Sequence, residues 1–152
     1  MKAVLQRVAN ACVRVDGETI GAIDRGLLIL LGVAGEDGPL QAKTLAAKIA
    51  VLRIFEDEQG RLNRSLLDLD YSALVVSNFT LYGDCARGRR PDFTRAAGFE
   101  TARGLYERFL TELGLAGVGR LASGRFGADM QVELINDGPV TIIVDTDDLR
   151  QL

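Results

Sequence analysis

The stretch Gly26-Leu27-Leu28-Ile29-Leu30-Leu31-Gly32-Val33 decides the fold class. Its apolar residues run on without the alternation of a half-wet strand. The run is also far shorter than the ~20 residues a membrane span needs. A strand buried on both faces fits, and such strands lie inside sheets that are covered on two sides. The flanks agree. Upstream, Val4, Gln6 and Val8 alternate with Leu5 and Arg7, and Ala11 to Val15 leads into Asp16-Gly17. That dipeptide is a hairpin signal and predicts a return strand over Glu18 to Ile23. Downstream, Asp37-Gly38-Pro39 opens a helix, with proline where its missing N–H costs nothing. Leu45, Ala46, Ile49 and Leu52 recur at helical spacing, which predicts a helix over 39–52.

The remaining elements follow the same rules. Asp57 to Gly60 is a turn, and Ala73 to Val76 is a second apolar strand ending in Ser77-Asn78-Phe79-Thr80-Leu81. A second helix is expected from Glu100 to Leu113, with Leu105, Phe109 and Leu113 on one face and Gly114 as its stop. Val118 to Ala122 and Met130 to Ile135 read as strands. Asn136-Asp137-Gly138-Pro139 reads as a hairpin turn, and Val140 to Val144 as the last strand. About seven strands and two helices predict a single α/β domain over residues 1–152, its helices covering one side of the β layers.

Composition narrows the chemistry. The chain has 152 residues, 47% hydrophobic and 26% charged, and no His. That excludes a Ser-His-Asp triad, an imidazole base and a His-ligated metal. Cys12 and Cys85 cannot make a four-thiolate zinc site, and one bridge between them would not be the framework of a small secreted domain. Free thiols in a reducing compartment are expected. Arg7 interrupts any apolar leader in the opening residues, so a cytoplasmic location is expected, without a membrane partner. The net charge of −3 gives no global attraction for nucleic acid, and DNA is not expected as a partner. Locally the balance differs, because Arg87, Arg89, Arg90 and Arg95 stand against Asp92 alone. A patch of this kind can hold a phosphate backbone, but on charge alone a solvated surface loop is the better reading. Gly83 to Gly98, rich in Gly and Arg, is the best candidate for a functional loop.

Ser77 and Thr80 end an apolar strand, where open α/β sheets place their ligands. A hydroxyl needs a base to become a nucleophile, and none is recognisable, so local backbone bonding accounts for both residues equally well. Asn136 to Pro139 has two readings, a plain turn or, with a cis Gly138–Pro139 bond, a fixed elbow that lets a ligand approach. Cys85 stands near Arg87, which could lower its pKa, yet without a His partner a passive thiol is expected.

Ser77-Asn78-Phe79-Thr80-Leu81 together with Asn136-Asp137-Gly138-Pro139-Val140-Thr141 resembles the paired signature of the D-aminoacyl-tRNA deacylases. Gln6-Arg7-Val8, Gly26 to Gly32, Arg53-Ile54-Phe55, Arg90-Pro91 and Gly124 to Met130 extend the likeness along the chain. The resemblance implies a three-layer α/β/β arrangement, with helices covering one side of two β layers, and a homodimer. It implies hydrolysis of the ester joining a D-amino acid, and also glycine mischarged on tRNA(Ala), to the 3′ end of tRNA, with no cofactor and no metal. Gly138 and Pro139 of the partner subunit would exclude L side chains, with Arg7 fixing the loop. Ser77, Asn78, Phe79 and Thr80 would surround the ester, the Phe79 N–H serving as an oxyanion donor, a role worth a few kcal/mol in other acyl-transfer sites. Phe126, Gly127 and Met130 would line the pocket for the terminal adenine, and Arg87 to Arg95 would meet tRNA phosphates. In this family Thr80 has been viewed as a nucleophile, but hydrolysis assisted by the ribose 2′-hydroxyl accounts for it better. One departure stands out: Asn78 occupies a position where the family usually has Gln. Competing expectations are a tRNA-end-binding module that has lost catalysis and a Thr- or Ser-nucleophile esterase.

Overall fold

The structure, a computed structural model, describes residues 1–149; the last three residues of the expected domain, 150–152, lie outside it. The elements are β1 (Lys2–Val15), β2 (Glu18–Ile23), β3 (Gly26–Gly32), α1 (Pro39–Ala50), β4 (Phe55–Glu56), β5 (Leu62–Arg64), α2 (Leu66–Leu69), β6 (Ser72–Ser77), α3 (Phe99–Leu115), β7 (Leu121–Ser123) and β8 (Gln131–Asp145). A 3₁₀ turn, Phe79–Tyr82, follows β6.

Six strands form one mixed sheet in the order β2-β1-β3-β6-β7, with β8 also on β1. Strands β3, β6 and β7 are parallel, whereas β1 runs antiparallel to β2, β3 and β8. Period two sorts the side chains. Leu27, Ile29 and Leu31 of β3 and Ala73 and Val75 of β6 join α1 and α3 in the larger core. Leu28, Leu74 and Val76 face the other way and pack with Val13 and Ile23, with Ile20, Val132 and Leu134 at the margin. Two β layers thus enclose a second core, and the helices cover one side, as the sequence predicts. Leu27, Leu28, Ile29 and Leu31 are all 2% exposed or less, each contributing about 1.5–3 kcal/mol of burial. β1 serves both layers. Ala3 and Leu5 lie in the first core and Ala11 and Val13 in the second, and the register slips that reset the strand's parity fall between Gln6 and Asn10.

Several expectations are corrected. The Asp16-Gly17 turn is present, with φ of 51° and 78°, but α1 ends at Ala50 rather than 52. Gly114 is not a stop: α3 runs through it to Leu115, and the turn comes at Gly117, whose φ is +104°. The strand expected over 118–122 is Leu121–Ser123. The small β4–β5 hairpin and α2 were not foreseen. Asn136 to Pro139 is not a hairpin turn, because both flanks pair with the same strand, Asn136 opposite Val8 and Thr141 opposite Gln6. One residue of β1 faces four of β8, so the segment is an elbow bulging from one continuous strand. Among the described residues no helix is long and apolar enough to cross a membrane.

Candidate functional site at the ends of the parallel strands

The C-terminal ends of β3, β6 and β7 and the start of α3 enclose a cavity of about 440 Å³. Leu31 and Val33 reach it from the end of β3 and the residue beyond, Ser77 to Phe79 from the end of β6 and the turn after it, Phe126 to Ala128 and Met130 from the segment after β7. The structure therefore brings Ser77, Asn78, Phe79, Phe126, Gly127 and Met130 into one place. Among the described residues, no carboxylate, amine, thiol or guanidinium lines the cavity. The ionisable side chain that does line it, Tyr106, donates its hydroxyl to the Val75 carbonyl at 2.9 Å. Burial pushes that phenol up to about 12, so it stays a donor and is no acid or base at neutral pH.

The chain turns sharply after Ser77. The Asn78 N–H still bonds to Leu31 across the sheet (2.8 Å), and its side chain then folds over the 3₁₀ turn. Asn78 Oδ1 accepts the Thr80 N–H at 3.3 Å and the Thr80 hydroxyl at 2.5 Å. This cap leaves the Phe79 N–H as the first donor of the turn without a partner inside it. Thr80 is exposed and is not among the lining residues. Its proton goes to an amide oxygen, which cannot act as a base, so it lacks the activation a nucleophile requires.

The aromatic rings around the cavity are mutually braced. Phe79 lies edge-on to Phe93, with centroids 5.2 Å apart, and Phe126 meets Phe99 at 5.2 Å and Tyr106 at 5.6 Å. Phe93 and Phe99 were missed at the level of sequence. Phe99 did carry a signal, since it continues the apolar stripe of Ala102, Tyr106 and Phe109 one turn towards the helix start. Phe93 carried none; it packs through tertiary contact alone. It attaches the Gly- and Arg-rich loop to the cavity wall. That loop is closed by paired Asp84 and Asp92 backbones (2.8 and 2.9 Å), and it leaves Arg87, Arg89 and Arg90 exposed. Cys85, on the same loop, is an exposed free thiol, and Cys12 is also free.

Gly138, Pro139 and Arg7 lie elsewhere. Gly138 has φ +148°, and a Cβ there would come within 2.8 Å of Val140, so the elbow requires glycine. The Gly138–Pro139 bond is cis. Asn136 closes the elbow on itself: Oδ1 accepts the Val140 N–H at 2.8 Å, while Nδ2 donates to Gln6 Oε1 at 2.7 Å. Arg7, only 6% exposed, donates through Nε to the Asp137 carbonyl (2.8 Å) and through Nη1 to the Ile54 carbonyl (3.1 Å). A smaller cavity of about 130 Å³ lies beside Arg7, Glu56, Tyr71 and Asp137. Arg7 pairs with Leu27, at the start of β3, whereas the large cavity opens at Leu31 and Val33. Four residues at about 3.3 Å each separate the two levels by roughly 13 Å along the strand.

The model of the family described as D-Tyr-tRNA(Tyr) deacylase matches residues 4–145. The chain belongs to this family. A D-aminoacyl-tRNA deacylase of Roseiflexus castenholzii is 58% identical over 151 residues, covering 99% of this chain and 96% of the relative. Among solved structures, the c-Myc DNA Unwinding Element Binding Protein superposes with a TM-score of 0.90 at 44% identity, covering 96% of this chain and 99% of that one. A probable eukaryotic D-amino acid tRNA deacylase shares the fold, with a TM-score of 0.83 at 17% identity, covering 94% of this chain and 97% of that one. Family membership makes this chain a hydrolase.

Proposed function

We propose that this protein hydrolyses the ester between a D-amino acid, or glycine, and the 3′-terminal ribose of tRNA. Water adds to the ester carbonyl, the bond to the ribose oxygen breaks, and that oxygen leaves with a proton as the 3′-hydroxyl. The observation that carries this reading is the cavity itself, lined by Ser77, Asn78 and Phe79 at a strand end and, among the described residues, by no protein base. The Phe79 N–H donates to the developing oxyanion, and the adjacent 2′-hydroxyl of the substrate helps activate the water. Phe126, Gly127 and Met130 receive the terminal adenine. Exposed Arg87, Arg89 and Arg90 meet tRNA phosphates, whose contribution falls with salt.

Handedness is read by the elbow. Gly138 and Pro139 of a second copy enter the cavity in a homodimer, and their backbone excludes an L side chain; a braced peptide group cannot relax as a long side chain would. The distance between each elbow and its own cavity supports an arrangement in which copies exchange elbows. The reaction belongs to the cytoplasm, where charged tRNA is found. The DNA-element binding named for one structural neighbour is not adopted for a chain of net charge −3.

The test is hydrolysis of matched D- and L-aminoacyl-tRNAs by the purified protein. Preferential release of the D-amino acid is expected. Equal rates, or a preference for the L form, would overturn the proposal. Binding of the tRNA end without turnover would instead support the non-catalytic module, and a trapped acyl-enzyme on Thr80 the nucleophilic esterase.

A further inference from the structure

Phe99 is the first residue of α3 and is 57% exposed, although its ring forms part of the wall of an apolar cavity. The residues that follow it on the same stripe, Ala102, Tyr106 and Phe109, are buried beneath the helix, so Phe99 is the end of that stripe, overhanging the cavity. Its place is specified from two sides. The Phe126 ring meets it at 69° with centroids 5.2 Å apart. Below it lies Gly127, where a Cβ would come 2.7 Å from Phe99 Cε2 and 3.0 Å from Cζ. Gly127 also has φ +78°, so both its conformation and the ring above it call for glycine. A large apolar ring that is held in position yet left half-open gains most when a flat ligand covers it. Phe126, by contrast, is partly buried between Phe99 and Tyr106, and so has less free surface to offer.

We propose that Phe99 is a base-stacking residue, its ring packing on the terminal nucleobase of the tRNA 3′ end beside Phe126, with Gly127 setting where the ring stands. The inference rests on the deacylase reading and adds to it a recognition residue on α3. Aromatic stacking suits this wall, because every base has a π-face and the cavity offers few polar groups to read base edges.

The test crosses the residue with the base. Phe99→Ala is expected to raise KM for D-aminoacyl-tRNA by roughly 5- to 150-fold, the range that removal of a base-stacking ring produces, with kcat little changed. Phe99→Tyr should match wild type, and Phe99→Leu, apolar but without a ring, should not. On a substrate whose terminal nucleotide keeps its ribose and ester but lacks the base, Phe99→Ala should cost nothing further. An equal loss on the base-free substrate, or a Leu variant as good as Phe, would overturn the proposal. Should Phe99→Ala fail to fold, the Tyr and Leu variants decide the matter by the same comparison. If the wild-type protein hydrolyses no aminoacyl-tRNA, the deacylase reading fails separately. Stacking is then read with an amide-linked D-alanyl-tRNA ending in 2-aminopurine. Quenching of its fluorescence by wild type but not by Phe99→Ala supports the inference; equal quenching by both, or none, overturns it.

Discussion

Replacing Arg7 by Met keeps most of an apolar stem and removes every donor of a side chain that holds three parts of the molecule together. Arg7 lies 6% exposed in β1 and bonds to the Asp137 carbonyl of the elbow, the Ile54 carbonyl and, at 3.4 Å, the Glu56 carboxylate. A hydrogen bond from a charged donor is worth about 1.5–3 kcal/mol net. The Glu56 contact adds little, since that carboxylate is 56% exposed. Ile54 is buried and its carbonyl has no ready substitute, whereas Asp137 is exposed and can turn to water. Losing both carbonyl contacts should therefore cost about 3–5 kcal/mol. At a urea slope of about 2 kcal/mol/M, the midpoint moves down by about 2 M. Arg7→Lys, able to keep one of the two bonds, should fall about half as far. On the proposed reading the elbow also loses its anchor, and the D-to-L ratio of kcat/KM should drop at least about tenfold, equivalent to about 1.4 kcal/mol of discrimination. Urea unfolding and paired hydrolysis assays read the two effects separately. An unchanged midpoint would refute the structural argument. A lowered midpoint with an intact D-to-L ratio would refute the link between the clamp and selectivity.

Asn78→Gln should leave hydrolysis within a few-fold of wild type, because the proposed oxyanion donor is the Phe79 backbone; a nearly inactive natural protein rescued by Gln would show that the side-chain amide positions the substrate. Thr80→Val should retain substantial turnover, since the Thr80 hydroxyl donates to Asn78 and to no base; complete loss together with a covalent intermediate in wild type would contradict this. Gly26→Ala should abolish the folded state or lower its melting point severely, because a Cβ there would lie 1.8 Å from the Ser72 carbonyl oxygen, where β3 and β6 begin to pair; a normal circular-dichroism melt would refute it. Tyr106 ionises near 10 in the unfolded chain but only at about 12 when folded. Stability should therefore be flat below pH 10 and fall above it, by about 1 kcal/mol at pH 11 from this group, with a shallower fall in Tyr106→Phe measured by urea midpoints.

Where local rules and tertiary packing agree, the chain could be read directly. Leu27 to Leu31 alternates between two cores that both exist, and Asp16-Gly17 turns as its residue types demand. Asn136 to Pro139 shows where reading from neighbours fails. Asn-Asp and Gly-Pro are both turn formers, and nothing local reveals that β1 is long enough to pair with the residues on either side of them. The Asn136 side chain supplies the bonds that a hairpin would have made between strands. Arg7 follows the same logic. In an alternating strand a charged residue suggests solvent, but Ala3, Leu5 and Arg7 share the helix-side parity, and the guanidinium is tolerated there only because carbonyls from two distant segments meet it. Phe93 was hidden for another reason, since its partner Phe79 is brought to it only when the loop closes at Asp84 and Asp92.

These placements share a physical cause. The cavity needs strand ends, where backbone donors are free and the parallel β3, β6 and β7 leave a shallow mouth; the elbow needs a long antiparallel edge that tolerates extra residues, and β8 on β1 supplies one. A single sheet cannot put both at the same level, because Arg7 and the elbow fix their position at the start of β3 and the cavity fixes its own at the end. The proposed function thus assigns shape selection and bond breaking to regions with opposite requirements, one rigid and closed by its own side-chain bonds, the other open enough to admit a nucleotide. On the proposed reading, a second copy of the chain brings its elbow to the first copy's cavity and resolves that conflict without altering either region. On that reading, the same division explains why the ester-side wall needs no side-chain base among the described residues. In the proposed dimer its residues have only to hold the substrate still, while the excluded volume that judges handedness arrives from the second copy.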